Sequence, residues 1–425
     1  MLLGCIADDF TGATDLASTL VAEGMRTAVW RGVPEEDTAV PAVDALVIAL
    51  KSRTIPAADA MKASLEASGW LAQAGAQQQY FKYCSTFDST DAGNIGPVLD
   101  ALLQALEAPF TLACPAFPAN GRSVYHGYLF VGDVLLSESS MRHHPLTPMT
   151  DSALPRVLAR QLPGQTVGLI SHRTVREGAA AIETAWRQLA GSGHRAAIVD
   201  AITDDDLRAI GAASTTLPLL TGGSGLALGL PDAFRRAGLL DEHEEAEASV
   251  QHIGGATAVI AGSCSAATRQ QLAQAEAHGW PIWTVEADAA MQHPDTLLAD
   301  ILAWAAPQLS STPVVIASSA DPAVVDATQA QYGRAAVGDG IEAVLAGTAQ
   351  GLVQRGVRRL IVAGGETSGA VVRALSMQGL RIGPAIAPGV PWVRPVDARE
   401  PLALALKSGN FGGEDFFAEA FALTS

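Results

Sequence analysis

Two carboxylates stand side by side near the start of this chain. In Ile6-Ala7-Asp8-Asp9-Phe10-Thr11-Gly12-Ala13-Thr14-Asp15, an apolar run ends at Ala7. Asp8 and Asp9 follow, and Thr11-Gly12 leads into a helix expected to reach about Glu23. Carboxylates just beyond the carboxyl end of a parallel strand stand where ligands of open α/β sheets bind. There they can accept protons from sugar hydroxyls, serve as a general base, or hold Mg²⁺ through water. An N-cap role accounts for one such Asp, but not for two adjacent ones plus Asp15.

Two further segments repeat this placement. Ala49-Leu50-Lys51-Ser52-Arg53-Thr54 follows a second apolar run. Phe81-Lys82-Tyr83-Cys84-Ser85-Thr86-Phe87-Asp88-Ser89-Thr90, then Gly93-Asn94-Ile95-Gly96, is dense in hydroxyls and carries one lysine and one aspartate. Lysine and arginine suit a carboxylate, while Ser, Thr and Asp suit polyol hydroxyls. Alone, each reads equally as a Ser/Thr-rich turn. Together they put Asp8, Asp9, Arg53, Lys82, Ser85 and Asp88 at the ends of successive strands, a pocket for a small polyhydroxy acid. Pro115–Arg122 adds an irregular loop with Arg122 at its tip, followed by Tyr125 and His126. Arg142-His143-His144-Pro145 and Met149-Thr150-Asp151 read equally as structural turns. His143 and His144 do not make a metal pair, because adjacent side chains diverge.

The second half carries glycine turns. Ala258–Ala261 runs into Gly262-Ser263-Cys264-Ser265, and Leu360–Ala363 into Gly364-Gly365-Glu366-Thr367-Ser368-Gly369. Thr221-Gly222-Gly223-Ser224-Gly225 has the same form earlier in the chain. Strand, glycine turn and helix N-terminus together present free backbone N–H groups to a phosphate. No Walker A loop and no GxGxxG is present. Pro388-Gly389-Val390-Pro391-Trp392 is expected to expose a Trp that covers a base. Leu406-Lys407-Ser408-Gly409-Asn410-Phe411-Gly412-Gly413 sets a scarce lysine among glycines. The chain has four lysines, and Lys51, Lys82 and Lys407 all lie in expected ligand loops, leaving Lys62 on an ordinary helix.

The elements that must position these residues follow from composition and pattern. The chain has 425 residues, 48% of them hydrophobic, and a net charge of −17. Length implies two or three domains. The acidic balance argues against nucleic acid or an anionic membrane as main partner. Four cysteines without CxxC spacing exclude a disulfide framework or a zinc site. No apolar run spans a bilayer. Leu2-Leu3-Gly4-Cys5 lacks the basic head and apolar stretch of an export signal, so a cytoplasmic protein is expected. Nothing in the chain argues against a homo-oligomer.

Short apolar runs alternate with amphipathic Ala/Leu-rich segments throughout. The runs begin at Leu2, Ala45, Phe110, Val167, Ala196, Leu217, Ala258, Pro313 and Leu360. This is the α/β signature of mostly parallel strands, buried on both faces and flanked by helices. The acidic run Asp241–Glu247 marks a boundary. We therefore expect an α/β domain over 1–230, an acidic linker over 231–255, a second α/β domain over 256–425, and an active-site cleft between the domains.

On residues alone this is a two-domain α/β enzyme, one domain taking a small hydroxylated anion and the other a nucleotide. That division suits phosphoryl transfer. A dehydrogenase is disfavoured by the missing dinucleotide fingerprint. A non-catalytic sugar-acid binding protein is the rival from another class.

The segments Ile6–Asp15, Ala49–Thr54, Phe81–Gly96, Gly364–Gly369 and Lys407–Gly413, in this order and nearly end to end, resemble the four-carbon acid sugar kinase family. Asp8–Asp15 and Cys84–Thr90 look most like its 3-oxo-tetronate branch; the alternative within the family is a D-threonate or D-erythronate kinase. The resemblance implies an N-terminal acid-sugar domain and a C-terminal ATP domain, with ATP and Mg²⁺ as cofactors. It implies ATP contacts at Ser263, Gly365, Glu366, Thr367, Ser368 and Gly409. It places the acid sugar against Asp8 or Asp9, Arg53 and the Lys82–Ser89 segment. The expected catalytic pair is Asp8 and Asp9.

Overall fold

The computed structural model describes residues 1–144, 146–241, 253–310, 312–318, 330–387, 389–396 and 400–424. The chain divides into two units, Met1–Ala246 and Glu247–Ser425. In the first, the main strands are β1 (Leu3–Ala7), β2 (Thr27–Arg31), β3 (Ala45–Ala49), β4 (Gln78–Lys82) and β5 (Thr111–Cys114). A small antiparallel sheet follows, made of β6 (Arg122–Tyr125), β7 (Tyr128–Val131) and β8 (Val134–Leu135). The main sheet is completed by β9 (Val167–Ile170), β10 (Ala196–Val199) and β11 (Leu219–Gly222).

The main strands lie in the order β2-β3-β1-β4-β11-β5-β10-β9, all parallel. The chain runs from β1 outward to β2 and β3 on one side, then crosses back to β4 on the other. The crevice between the carboxyl ends of β1 and β4 is therefore the topological switch point, where ligands of such sheets bind.

The second unit repeats the plan. Its strands are β12 (Ala256–Ala261), β13 (Ile282–Val285), β14 (Val314–Ser318), β15 (Val357–Ala363), β16 (Gly379–Ala387), β17 (Val390–Pro395) and β18 (Ala403–Lys407). The order β13-β14-β12-β15-β18 is parallel, and β17 and β16 continue it antiparallel. Its switch point lies between β12 and β15.

The parallel α/β class is as expected, and each of the nine apolar runs contains or overlaps a strand. The continuous hydrophobicity follows from burial on both faces: β1, β3 and β14 are buried at every residue. The pattern did not reveal β4, whose Gln78 and Gln79 are buried. Their Nε2 groups donate to the carbonyls of Ser214, Leu217 and Ser68, which offsets part of the cost of burial, while both Oε1 atoms are buried without a partner among the described residues.

Two expectations are corrected. Trp392 does not stand exposed: it lies in β17, fully buried, with Nε1 donating to Ala420 O at 3.2 Å, packed near Phe421. The neighbouring prolines and glycine suggested a loop, but Pro391 lies within the strand, paired with Ala385, and Gly389 immediately precedes it. The expected linker begins too early. Leu230–Arg236 is a helix with Leu230, Pro231, Ala233 and Phe234 buried in the first unit, and Arg235 donates to Glu23 O. The acidic run from Glu242 onward, and Pro388, lie outside the described residues. Among the described residues no helix is long and apolar enough to cross a membrane.

Candidate active site

At the switch point of the first unit, register sets the expected residues level. Ala7 pairs with Ala49 and with Lys82, and Lys82 pairs with Gly222. The segments after β1, β3 and β4 therefore leave the sheet along one edge. Asp9 is the N-cap of the helix Phe10–Ala22, with Oδ1 accepting from Gly12 N at 2.8 Å. A Cβ on Gly12 would overlap both Asp9 Oδ1 and Lys82 Nζ, so the close approach of lysine to the helix start requires glycine here.

The two carboxylates do different work. Arg53 grips Asp8 with both arms, Nε to Oδ2 and Nη2 to Oδ1, each at 2.8 Å. Its Nη2 also reaches Asp9 Oδ1 at 2.9 Å. Asp8 therefore has both oxygens engaged and is buried, whereas Asp9 keeps Oδ2 uncommitted on a side chain 30% exposed. Burial pushes the Asp8 carboxyl up and Arg53 opposes it. Burial lowers Arg53, but its carboxylate partners outweigh that and raise it. With a guanidinium donating to both oxygens, we take the pair as charged. Burial likewise raises Asp15, which lies on the same helix and senses both Lys82 and Asp9.

Lys82 is 4% exposed, and its Nζ makes no hydrogen bond or ion pair among the described residues. The carboxylates of Asp8 and Asp15 lie within its electrostatic reach, but its three N–H donors have no fixed acceptor and are left for a ligand. Beyond it, Cys84 Sγ and Thr86 Oγ1 are 2.9 Å apart, and Thr86 Oγ1 donates to Asp88 Oδ1 at 2.6 Å. Because the threonine proton goes to Asp88, the thiol must donate to Thr86. Ser85 and Asp88 are half-buried in this loop.

Two of the expected site residues have partners elsewhere in the first unit. Ser89 is 3% exposed, and its hydroxyl accepts from Gln161 Nε2 at 2.9 Å, so it is committed to the scaffold. Arg122 opens β6 in the small sheet and bonds the carbonyl of Asn120, a link its own tight turn enforces. No hydrogen bond or ion pair joins it to Asp8, Asp9, Arg53 or Lys82 among the described residues. The segments around His144 and Asp151 are structural turns. His144 Nδ1 accepts from Thr147 N, and Asp151 is held by Arg156 and Arg160.

Sequence reasoning quoted Asn94 without seeing its role. Its Nδ2 is placed against the carbonyls of Ser52 (2.6 Å), Arg53 (3.2 Å) and Ile55 (2.9 Å), clamping the Arg53 loop. Asn94→Ala should cost about 1–3 kcal/mol by stripping buried carbonyls of their donor. Thermal unfolding should show a fall of several degrees, together with a raised acceptor KM.

At the switch point of the second unit, Ala261 pairs with Ala363 and Ala363 with Lys407. Ser263 N donates to Ala363 O at 3.2 Å, and Ser263 Oγ accepts from Ser265 N. A Cβ on Gly409 would overlap Ser263 Oγ, so these two turns touch. Gly365 and Glu366 are exposed at the start of the helix Gly365–Ala374, while Thr367 and Ser368 are buried. Ser368 N donates to Gly364 O. The N–H groups of Gly365, Glu366 and Thr367 make no hydrogen bond among the described residues, which leaves them for an anion. Thr367 and Ser368 thus present no exposed hydroxyl at this turn. Sequence reasoning missed Gln271, buried, whose Nε2 holds the carbonyls of Phe411, Gly412 and Gly413 and so shapes the glycine loop.

These features define a class: an α/β protein of two units, each with a buried lysine and a helix N-terminus gathered at the switch point of its own parallel sheet. Residues 3–230 match the family described as a sugar-binding N-terminal domain, and residues 258–417 the one described as a nucleotide-binding C-terminal domain. The chain belongs to the four-carbon acid sugar kinase family. It is 55% identical over 421 residues to the 3-oxo-tetronate kinase of Cupriavidus necator, covering 99% of this chain and 96% of that one. It is 54% identical over 419 residues to the 3-oxo-tetronate kinase of Burkholderia multivorans, with 99% and 96% covered. A solved Haemophilus influenzae structure, 42% identical, superposes with a TM-score of 0.89 over 99% of both chains.

Proposed function

We propose that this chain is an ATP-dependent kinase that phosphorylates the 4-hydroxyl of a 3-oxo-tetronate. The observation that carries the reading is the first unit's pocket, a buried and unpaired Lys82 beside Asp9, in a chain similar from end to end to 3-oxo-tetronate kinases. Lys82, with the remaining Nη1 of Arg53, takes the substrate carboxylate. Ser85 and Asp88 meet its hydroxyl and carbonyl groups.

Of the two carboxylates, Asp9 is the base. Asp8 holds Arg53 and has no free oxygen, while Asp9 Oδ2 has room to accept a proton. The 4-hydroxyl oxygen attacks the γ-phosphorus as its proton passes to Asp9, and the bond from that phosphorus to the β–γ bridging oxygen breaks. ADP departs with the bonding pair. ATP contacts fall on Ser263, Gly365, Glu366, Thr367, Ser368 and Gly409. The free N–H groups at the start of the helix Gly365–Ala374 suit its phosphates. Mg²⁺ carried on the ATP phosphates would supply neutralisation of the charge that develops there. The described residues contain no cluster of three or more His, Cys, Asp or Glu side chains suited to hold an ion by themselves.

The test is a screen of C4 acid sugars and their 3-oxo forms with ADP release as readout. The expected result is turnover of a 3-oxo-tetronate. Turnover of D-threonate or D-erythronate alone would shift the acceptor to the sister branch. Acid-sugar binding without ADP release would replace the kinase with a binding protein. Gly409→Ala should raise the KM for ATP about tenfold or more, because its Cβ displaces Ser263. The acceptor KM should stay within about twofold of wild type.

A further inference from the structure

The second buried lysine, unlike Lys82, has no carboxylate against it. Lys407 ends β18 with its side chain 1% exposed. Its Nζ donates to Thr268 Oγ1 at 3.3 Å and to Gly409 O at 3.2 Å, and lies 5.9 Å from the Phe416 ring centre. All three neighbours are neutral. The carboxylates on the surrounding helices and loop are Glu276, Glu366, Glu414, Asp415 and Glu419, and none forms an ion pair with Nζ among the described residues. Asp415 meets His278 at 2.7 Å instead, and Glu414 takes Gln270. The cations on those elements are Arg269 and Arg373, and the neighbouring thiol is Cys264. A buried ammonium so placed is costly, and burial pulls its pKa down to about 8.

Lys407 is also wired into every turn of the cradle. Its main-chain oxygen accepts from Gly364 N at 2.9 Å, tying it to the turn after β15. The Gly409 carbonyl that Nζ touches also receives Ser265 Oγ at 2.6 Å and Thr268 Oγ1 at 2.9 Å. One carbonyl with two lone pairs thus faces three donors, so the lysine is the donor most readily spared for another acceptor.

We infer that Lys407 is the buried counter-charge for the nucleotide phosphates, a positioning residue beneath the cradle whose ammonium gains an anionic partner only when nucleotide binds. This rests on the nucleotide reading above. Its consequence is proton linkage. Phosphate favours the charged lysine, so the complex has a higher lysine pKa than the free protein. MgADP binding then takes up protons above about pH 8, and affinity falls as pH rises through that value.

The experiment is calorimetry of MgADP binding at pH 8.5, in two buffers of different protonation enthalpy, with a parallel affinity series from pH 7.5 to 9.5. A Cys264→Ser background removes the nearby thiol as a proton source. The wild-type residue should take up a sizeable fraction of a proton, with affinity falling about tenfold across the series. Lys407→Arg should bind without proton uptake, because guanidinium stays charged. Lys407→Met should bind about tenfold or more weakly at pH 7.5, also without uptake. A purely structural lysine would change melting and affinity but leave the proton count unaltered.

Undiminished uptake in Lys407→Arg, or affinity within about twofold of wild type in Lys407→Met, overturns the inference. If Lys407→Met does not fold, the wild-type and Lys407→Arg pair decides. Absence of MgADP binding to the wild-type protein overturns the nucleotide reading and this inference together. Lost linkage with binding intact overturns this inference alone.

Discussion

Asp9→Asn should lower kcat by about two to four orders of magnitude while leaving the KM for ATP within about twofold. The substitution isolates the proton transfer. Asparagine still caps the helix, because its side-chain oxygen can accept from Gly12 N as Asp9 Oδ1 does. That oxygen can also still accept from Arg53 Nη2. Only the second, uncommitted oxygen loses its basicity. Asp8→Asn acts differently. It breaks a bidentate grip on Arg53, so its effect falls on stability and acceptor KM together. Steady-state kinetics on both variants, with thermal unfolding alongside, separate the two roles. Wild-type turnover in Asp9→Asn would remove it as the base, and an equal kcat loss in both variants would dissolve the division of labour.

Arg53→Met should cost about 3–5 kcal/mol of stability, because it leaves the Asp8 carboxylate buried without its partner. The sign of the pH dependence follows. Without Arg53, burial and the neighbouring Asp9 raise the Asp8 carboxyl against Lys82 alone, and its folded-state pKa rises further above the unfolded value. A carboxyl with a raised folded pKa favours folding below the unfolded pKa, and that advantage is lost as pH rises through the folded pKa. The defect should therefore be mild near pH 4 and grow toward neutrality. Denaturant unfolding at several pH values measures it. Asp8→Asn combined with Arg53→Met should recover part of the loss, since the stranded charge is gone. A defect independent of pH, or a double variant no more stable than Arg53→Met alone, would show that the ion pair is not what holds this loop.

Much of this protein was legible before folding. Parallel strands buried on both faces read as uninterrupted apolar runs, so β1, β3, β10, β12 and β15 stood out. Asp-Asp-Phe-Thr-Gly combined a strand end, a cap and a glycine, each with a local physical cause. What misled the reading was also local. Proline and glycine around Trp392 suggested a loop, because sequence does not report that a short strand begins and ends there. Gln78 and Gln79 concealed β4, because the carbonyls that satisfy their amides lie up to 139 residues away.

By itself, then, the sequence determined nine of the strands, their order and the residue types gathered at their ends. These depend on periodicity and on contacts within a few residues. Only the tertiary structure decided what each of those residues does. Arg53 lies 45 positions from Asp8, and their bidentate bond is what turns two adjacent aspartates into a holder and a base. Gln161 reaches the Ser89 hydroxyl across 72 positions. Lys82 and Lys407 looked like loop lysines, but each is the last residue of a strand and is packed inside. Burial removes water from an ammonium and leaves it in need of an anion, and burial is a property of the assembled fold.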